Sequence, residues 1–217
     1  MIRVCTFSLL LLFSFACART PVAVNSQGRV QGQTITSTGF PTGSITFDSS
    51  FTYVGVDTFV LYNVARCEIH LFAQADSARN VQRLYWVQFE GYLPGLDEEY
   101  NYSNDPRRTL INGFTFYDRA RYYNSEAAAA NRRRGSDGEH VVKLLGRNGY
   151  RITGDLMTLR LVRLDPSSRN EFMIIYAEDL GLHGLSVVDL DRSPQTWEAV
   201  SDGLRARALA GMTITMN

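Results

Sequence analysis

Few side chains in this sequence suit metal or nucleophile chemistry. Of three cysteines, Cys5 and Cys17 fall within the first 18 residues, which leaves Cys67 alone in the rest of the chain. A lone cysteine excludes an intramolecular disulfide, and no cysteine pair has the spacing of a zinc site. Cys67 alternates with apolar neighbours and reads as a small buried hydrophobe. There are three histidines and no His-Glu-x-x-His, too few for a multi-histidine metal centre. A Gly-x-Ser-x-Gly elbow and a Gly-rich phosphate loop are both missing. No metal site and no cofactor are therefore expected. Lysine is scarce: Lys143 stands alone, and every other base is arginine. Charge of one sign is lacking too, since 22 Lys+Arg meet 22 Asp+Glu. A near-neutral chain offers no electrostatic case for a nucleic-acid partner. No internal repeat is present.

Long hydrophobic runs are also absent. The longest, Val4 to Phe15, falls short of the ~20 residues needed to span a bilayer. After Arg3 it reads as an export signal, with two ways of processing it. Ala16-Cys17-Ala18 fits cleavage after Ala18, giving a signal peptide over residues 1–18. Ser14-Phe15-Ala16-Cys17 resembles a bacterial lipobox, with a signal over 1–16 and Cys17 lipidated; Ser14 stands where a branched aliphatic is usual. The mass of the mature N-terminus separates the two. Either way the protein is expected outside the cytoplasm, periplasmic or secreted, with a membrane involved only through an anchor at Cys17.

Residues 19–43 are polar and rich in Gly, Ser, Thr and Gln. They are predicted to be a flexible segment, a tether if Cys17 is lipidated, or a weak edge strand around Gln33–Thr38. Residues 44–217 are long enough to bury a core as a single domain. Ser44–Phe47 and Phe51–Tyr62 read as strands, the second broken near Gly55-Val-Asp57. Thr109–Tyr117 reads as another. A helix is predicted over Arg119–Arg134, stopped by Gly135, and Ser136 with Glu139 marks the start of a second. His140, in its first turn, is expected on the surface. Leu156–Leu164 and Glu171–Leu180 form a hairpin. Ser193-Pro194 opens a third helix with Trp197, Val200, Leu204 and Ala208 on one stripe, and Met212–Met216 adds a last strand. This order predicts an α+β fold: one mostly antiparallel sheet of about 6–8 strands, with about three helices packed on one side.

The richest stretch runs from Val64 to Leu93. Both of its halves alternate, with a polar turn at Asp76–Arg79 between them, so it reads as a hairpin. One register sets Arg66 opposite Glu90, Glu68 opposite Gln88, and His70 opposite Trp86. Cys67, Ile69, Leu71, Tyr85, Val87 and Phe89 then share the apolar face. The polar face becomes the candidate site. Glu68, His70 and Glu90 are the candidate catalytic groups, since two carboxylates on one face are what general acid–base chemistry requires. Arg66, Trp86, Gln88 and Glu178 are the candidate ligand contacts, Trp86 as a stacking platform. The plainer alternative is a face turned to water, with Arg66–Glu90 a cross-strand pair contributing roughly 0.2–1 kcal/mol. The loop Pro94–Pro106 carries Asp97, Glu98, Glu99 and Asp105 without calcium-loop spacing, and reads as a solvated acidic loop. The expected function is a non-enzymatic binding or interaction protein of the cell envelope, its ligand or envelope partner unknown. The rival is a secreted hydrolase using Glu68, His70 and Glu90.

Overall fold

The alternating stretches build two antiparallel sheets instead of the one expected. The computed structural model describes residues 26–105 and 107–216; the stretch expected to be an export signal, with Cys17, lies outside them. The chain begins with β1 (Gly28–Gln31), β2 (Thr34–Ser37) and β3 (Gly43–Phe47). β4 (Thr52–Leu61), β5 (Ala65–Ala75) and β6 (Val81–Tyr92) follow as a meander. A long loop leads to β7 (Arg107–Ile111) and β8 (Phe114–Tyr123), then to helices α1 (Ser125–Ala130) and α2 (Asp137–Arg147). β9 (Leu156–Leu164) and β10 (Asn170–Asp179) form the second hairpin. A 3-10 turn (Leu180–His183), α3 (Val187–Arg192), α4 (Pro194–Ala210) and β11 (Met212–Met216) complete the chain. The smaller sheet has the order β1-β2-β3-β11; the larger has β4-β5-β6-β10-β9-β8-β7.

The larger sheet is covered on both faces. Its inner face meets the smaller sheet and α4: Phe72, Tyr85, Phe89 and Ile174 pack with Ile35, Ile45, Phe47, Leu204 and Ala208. On its outer face, Ile69 and Leu71 pack against Val141, Leu144 and Leu145 of α2. Helices therefore lie on both sides, not on one. The sequence alternates because strands alternate, yet both parities of β5 are buried from Cys67 to Ala73.

That double burial is why the expected register fails. The turn closes as predicted: Ala75 faces Val81, and Asp76 N–H donates to the Asn80 carbonyl. Gln82 is then an extra residue, because Gln74 faces Arg83. This β-bulge moves every later pair by one. Arg66 faces Gly91, Cys67 faces Glu90, Glu68 faces Phe89, and His70 faces Val87. Since side chains alternate with period two, the slip sends Glu68 and His70 inward while Glu90, Gln88 and Trp86 go outward.

Three other boundaries differ. Residues 28–37 are not a loose tether but the β1–β2 hairpin, with β2 close to the weak strand expected at Gln33–Thr38. Thr109–Tyr117 is two strands, turning at Asn112 and Gly113, both at positive φ as a two-residue hairpin turn requires. The predicted helix over 119–134 shrinks to Ser125–Ala130, because β8 runs on through Tyr123. The 3-10 turn at Leu180–His183 and α3 answer to no predicted element, which makes four helices among the described residues where about three were expected; the remaining elements lie where the pattern put them. In α2, Ser136 Oγ accepts from Glu139 N–H, and the Glu139 carboxylate reaches back to Gly135 N–H at 2.6 Å. His140 is not free on the surface: its ring stacks on Phe59 at 3.7 Å, and Nδ1 lies 2.9 Å from Asp57.

Candidate functional site

The expected polar face divides into three groups. Glu68 and His70 lie inward, each 2 % exposed. Glu68 accepts from the backbone N–H of Gln27 and of Gly28, at 2.7 Å each, and from Ser26 Oγ at 3.2 Å. His70 Nε2 lies 2.7 Å from Glu68, and Nδ1 lies 3.1 Å from the Tyr53 hydroxyl. Burial pushes the Glu68 carboxyl up, but the bonds from His70, Gly28 and Gln27 outweigh it and leave the group below its ordinary value. Burial, then the Glu68 charge, raises the Tyr53 hydroxyl to about 12. This cluster pins β1 to the large sheet. A Cβ on Gly28 would sit 2.7 Å from His70 Nε2, so only glycine lets the strand approach this closely.

Glu90 lies on the outer face beside a carboxylate from the next strand, because Glu171 is its cross-strand partner. Both are buried. Glu90 accepts from Gln88 Nε2 at 2.5 Å, Tyr100 Oη at 2.9 Å and Cys67 Sγ at 3.2 Å. Glu171 accepts from Tyr102 Oη at 2.5 Å. Burial raises Glu90. Burial and then the neighbouring Glu90 charge raise Glu171 to about 8, against the Tyr102 bond and Arg160. Burial and Glu90 also push the Cys67 thiol up, the opposite of what a thiolate nucleophile needs. The loop predicted to be solvated keeps Asp97, Glu98 and Glu99 exposed, while its second half, from Tyr100 to Asp105, lies over this row. Tyr100 and Tyr102 hold the carboxylates, while Asp105 binds Arg119 at 2.6 Å and Arg160 at 3.0 Å.

Glu178 lies on the inner face at the far end of β10, fully buried between Arg83 at 2.7 Å and Arg207 at 2.8 Å, with His183 at 3.4 Å. Arg66, on the inner parity at Gly91, does not reach Glu90, and its Nε is buried without a partner. The three candidate catalytic groups therefore do not converge. Among the described residues, no cluster of three or more His, Cys, Asp or Glu is arranged to hold a metal ion.

Of the candidates, Trp86 is the one that lines cavities on the outer face. Across the outer face, Trp86, Ile175, Arg160 and Arg119 form one cross-strand row, and Leu84, Ala177, Thr158 and Arg121 form the next. Over these rows stand α1 and α2. No residue of α1 is buried. Its alanines are too small to reach the sheet, and a cavity of about 470 Å³ lies beneath Ala128 and Ala129. The floor is Leu84, Trp86, Ile175 and Ala177, and the far wall is Val141 and Val142. A second cavity of about 240 Å³ adjoins it, sharing Trp86, Tyr123, Thr158 and Ile175, and ends at Arg119, Arg121 and Arg160. Two donors at this groove, Trp86 Nε1 and Arg160 Nε, are buried without a partner. Neither cavity is lined by Glu68, His70 or Glu90. The pattern on β8 that supplies Arg119, Arg121 and Tyr123 was hidden by the helical reading of that stretch.

Comparison with protein-family models, curated proteins and solved structures gives no match to this chain.

Proposed function

We propose that this chain is an exported, non-enzymatic binding protein that holds a small apolar molecule in the groove between the large sheet and helices α1 and α2. Export rests on residues 1–18. Binding rests on one observation above the others: Trp86 and Ile175, in the middle of a seven-stranded sheet, are only half-buried because the helices above them stop short. A sheet centre is ordinarily filled with side chains at close to crystal density. Here the polyalanine turn leaves about 470 Å³, within the ~300–1,000 Å³ of small-molecule sites. The buried indole N–H without a partner supports the same reading, since such donors are nearly always satisfied.

The test uses N-phenyl-1-naphthylamine, a neutral apolar fluorophore, with Trp86 as energy donor in a Trp197→Phe background. Saturable, one-to-one binding is expected. Ala128→Phe, which fills the groove from a half-buried helix position, should weaken it at least tenfold while leaving the melting temperature within a few degrees. Probe binding, read from the probe's own emission, that ignores both Ala128→Phe and Trp86→Ala would place any apolar site elsewhere and end this reading.

A further inference from the structure

Resting on that reading, we propose that the ligand is a single-chain amphiphile with an anionic headgroup, its chain under α1 and its head at Arg121 and Arg160. The shared chemistry is a carboxylate or phosphate on one apolar tail. The two cavities share Trp86, Tyr123, Thr158 and Ile175, and both are walled mostly by apolar atoms. The larger has an apolar floor; the smaller carries Arg119, Arg121 and Arg160 and no carboxylate in its lining. Asp105 occupies Arg119 and one nitrogen of Arg160. It cannot neutralise all three guanidiniums. Arg121 lines the smaller cavity and is exposed, with no hydrogen-bond or ion-pair partner among the described residues, and Arg160 Nε is buried with none. At the other mouth, Arg132 and Arg133 also line the groove, with the Arg133 guanidinium over the Tyr62 ring at 4.0 Å. An apolar floor between unpaired guanidiniums, with unfilled donors beside it, complements a molecule that is greasy along its length and negatively charged at one end. Arg121 follows directly from the strand register, since it continues the Leu84–Ala177–Thr158 row to the edge of the floor.

The experiment follows Trp86 emission in the Trp197→Phe protein with four probes: dodecanoate, dodecyl phosphate, dodecanol and inorganic phosphate. Dodecanoate and dodecyl phosphate should each saturate at one per chain. Dodecanol should bind about tenfold more weakly, and inorganic phosphate should leave Trp86 unchanged. Arg121→Ala should bring both anions to the dodecanol level without moving dodecanol itself; Arg121→Glu should weaken the anions further. Whichever anion binds more tightly identifies the head as fatty-acid carboxylate or lysolipid phosphate, and either order supports the proposal. Equal binding of dodecanol and the anions, or anions indifferent to Arg121→Ala, overturns the charged head while the groove stands. Inorganic phosphate matching dodecyl phosphate overturns the chain. If no chain-bearing probe reaches Trp86, the groove reading falls as well.

Discussion

Replacing Glu178 by alanine is expected to lower the melting temperature by about 10 °C. Glu178 is fully buried, with Arg83 and Arg207 both bonded to it. Breaking a buried pair costs roughly 3–5 kcal/mol, because the remaining charge stays without its partner. Here two guanidiniums remain. Each is about one third exposed, which lets them turn toward water and sets the cost near the lower bound, about 3 kcal/mol. For a domain of this size each kcal/mol moves the midpoint by ~2–4 °C. Burial raises the Glu178 carboxyl, but the bonds from Arg207 and Arg83 outweigh it and hold the group below its ordinary value. A lowered folded pKa contributes stability that is present above the unfolded value and lost as pH falls through the folded one. The deficit of Glu178→Ala should therefore shrink in acid, as the wild type loses the same contribution. Glu99→Ala, on the exposed part of the long loop, is the control and should stay within ~0.5 kcal/mol. A Glu178→Ala protein as stable as that control would show that the triad is decorative.

Glu171 works in the opposite direction. In the folded chain it holds its proton up to about 8, against an ordinary glutamate near 4.5. Between those values the folded state binds a proton that the unfolded state has released. Stability from this group is thus fully present below the unfolded value and falls as pH rises through the window, by up to ~1.4 kcal/mol per pH unit. Glu90, opposite on β6 and also raised, adds to the same slope. The surrounding groups do not reverse it. Tyr102 and Arg160 face the Glu171 carboxyl and favour its ionised form, while Asp137 from α2 disfavours it. Glu171→Gln keeps an acceptor for the Tyr102 hydroxyl and removes the titration. In urea unfolding the variant should match the wild type near pH 4.5 and exceed it by roughly 2–4 kcal/mol at pH 8. Parallel pH profiles for the two proteins would show that Glu171 ionises normally.

Much of the architecture was legible in the residues. The β9–β10 hairpin, the cap at Ser136, the helix opening at Ser193-Pro194 and the closing strand all lie where periodicity and capping chemistry put them. The candidate site was far less legible, for three physical reasons. A single bulge at Gln82 flips one strand relative to its neighbour, and period-two alternation cannot reveal a bulge when both faces are buried. Asn112-Gly113 was a readable turn signal inside what looked like one strand, and missing it carried the helix prediction back into β8. That error hid Arg119, Arg121 and Tyr123, which belong to the groove. Finally, the alanine run reads only as helix-forming, whereas its lack of side chains is what leaves the cavity open. Trp86 was the one residue whose position among polar neighbours pointed to an unusual environment, and it is the one at the centre of the groove.

The most direct measurement is a crystal structure of the mature chain grown with dodecanoate. The expected result is one chain lying across Trp86 and Ile175 beneath Ala128 and Ala129, its carboxylate at Arg121. An empty groove at saturating ligand, α1 collapsed onto the sheet, or the chain bound on another surface would contradict the account.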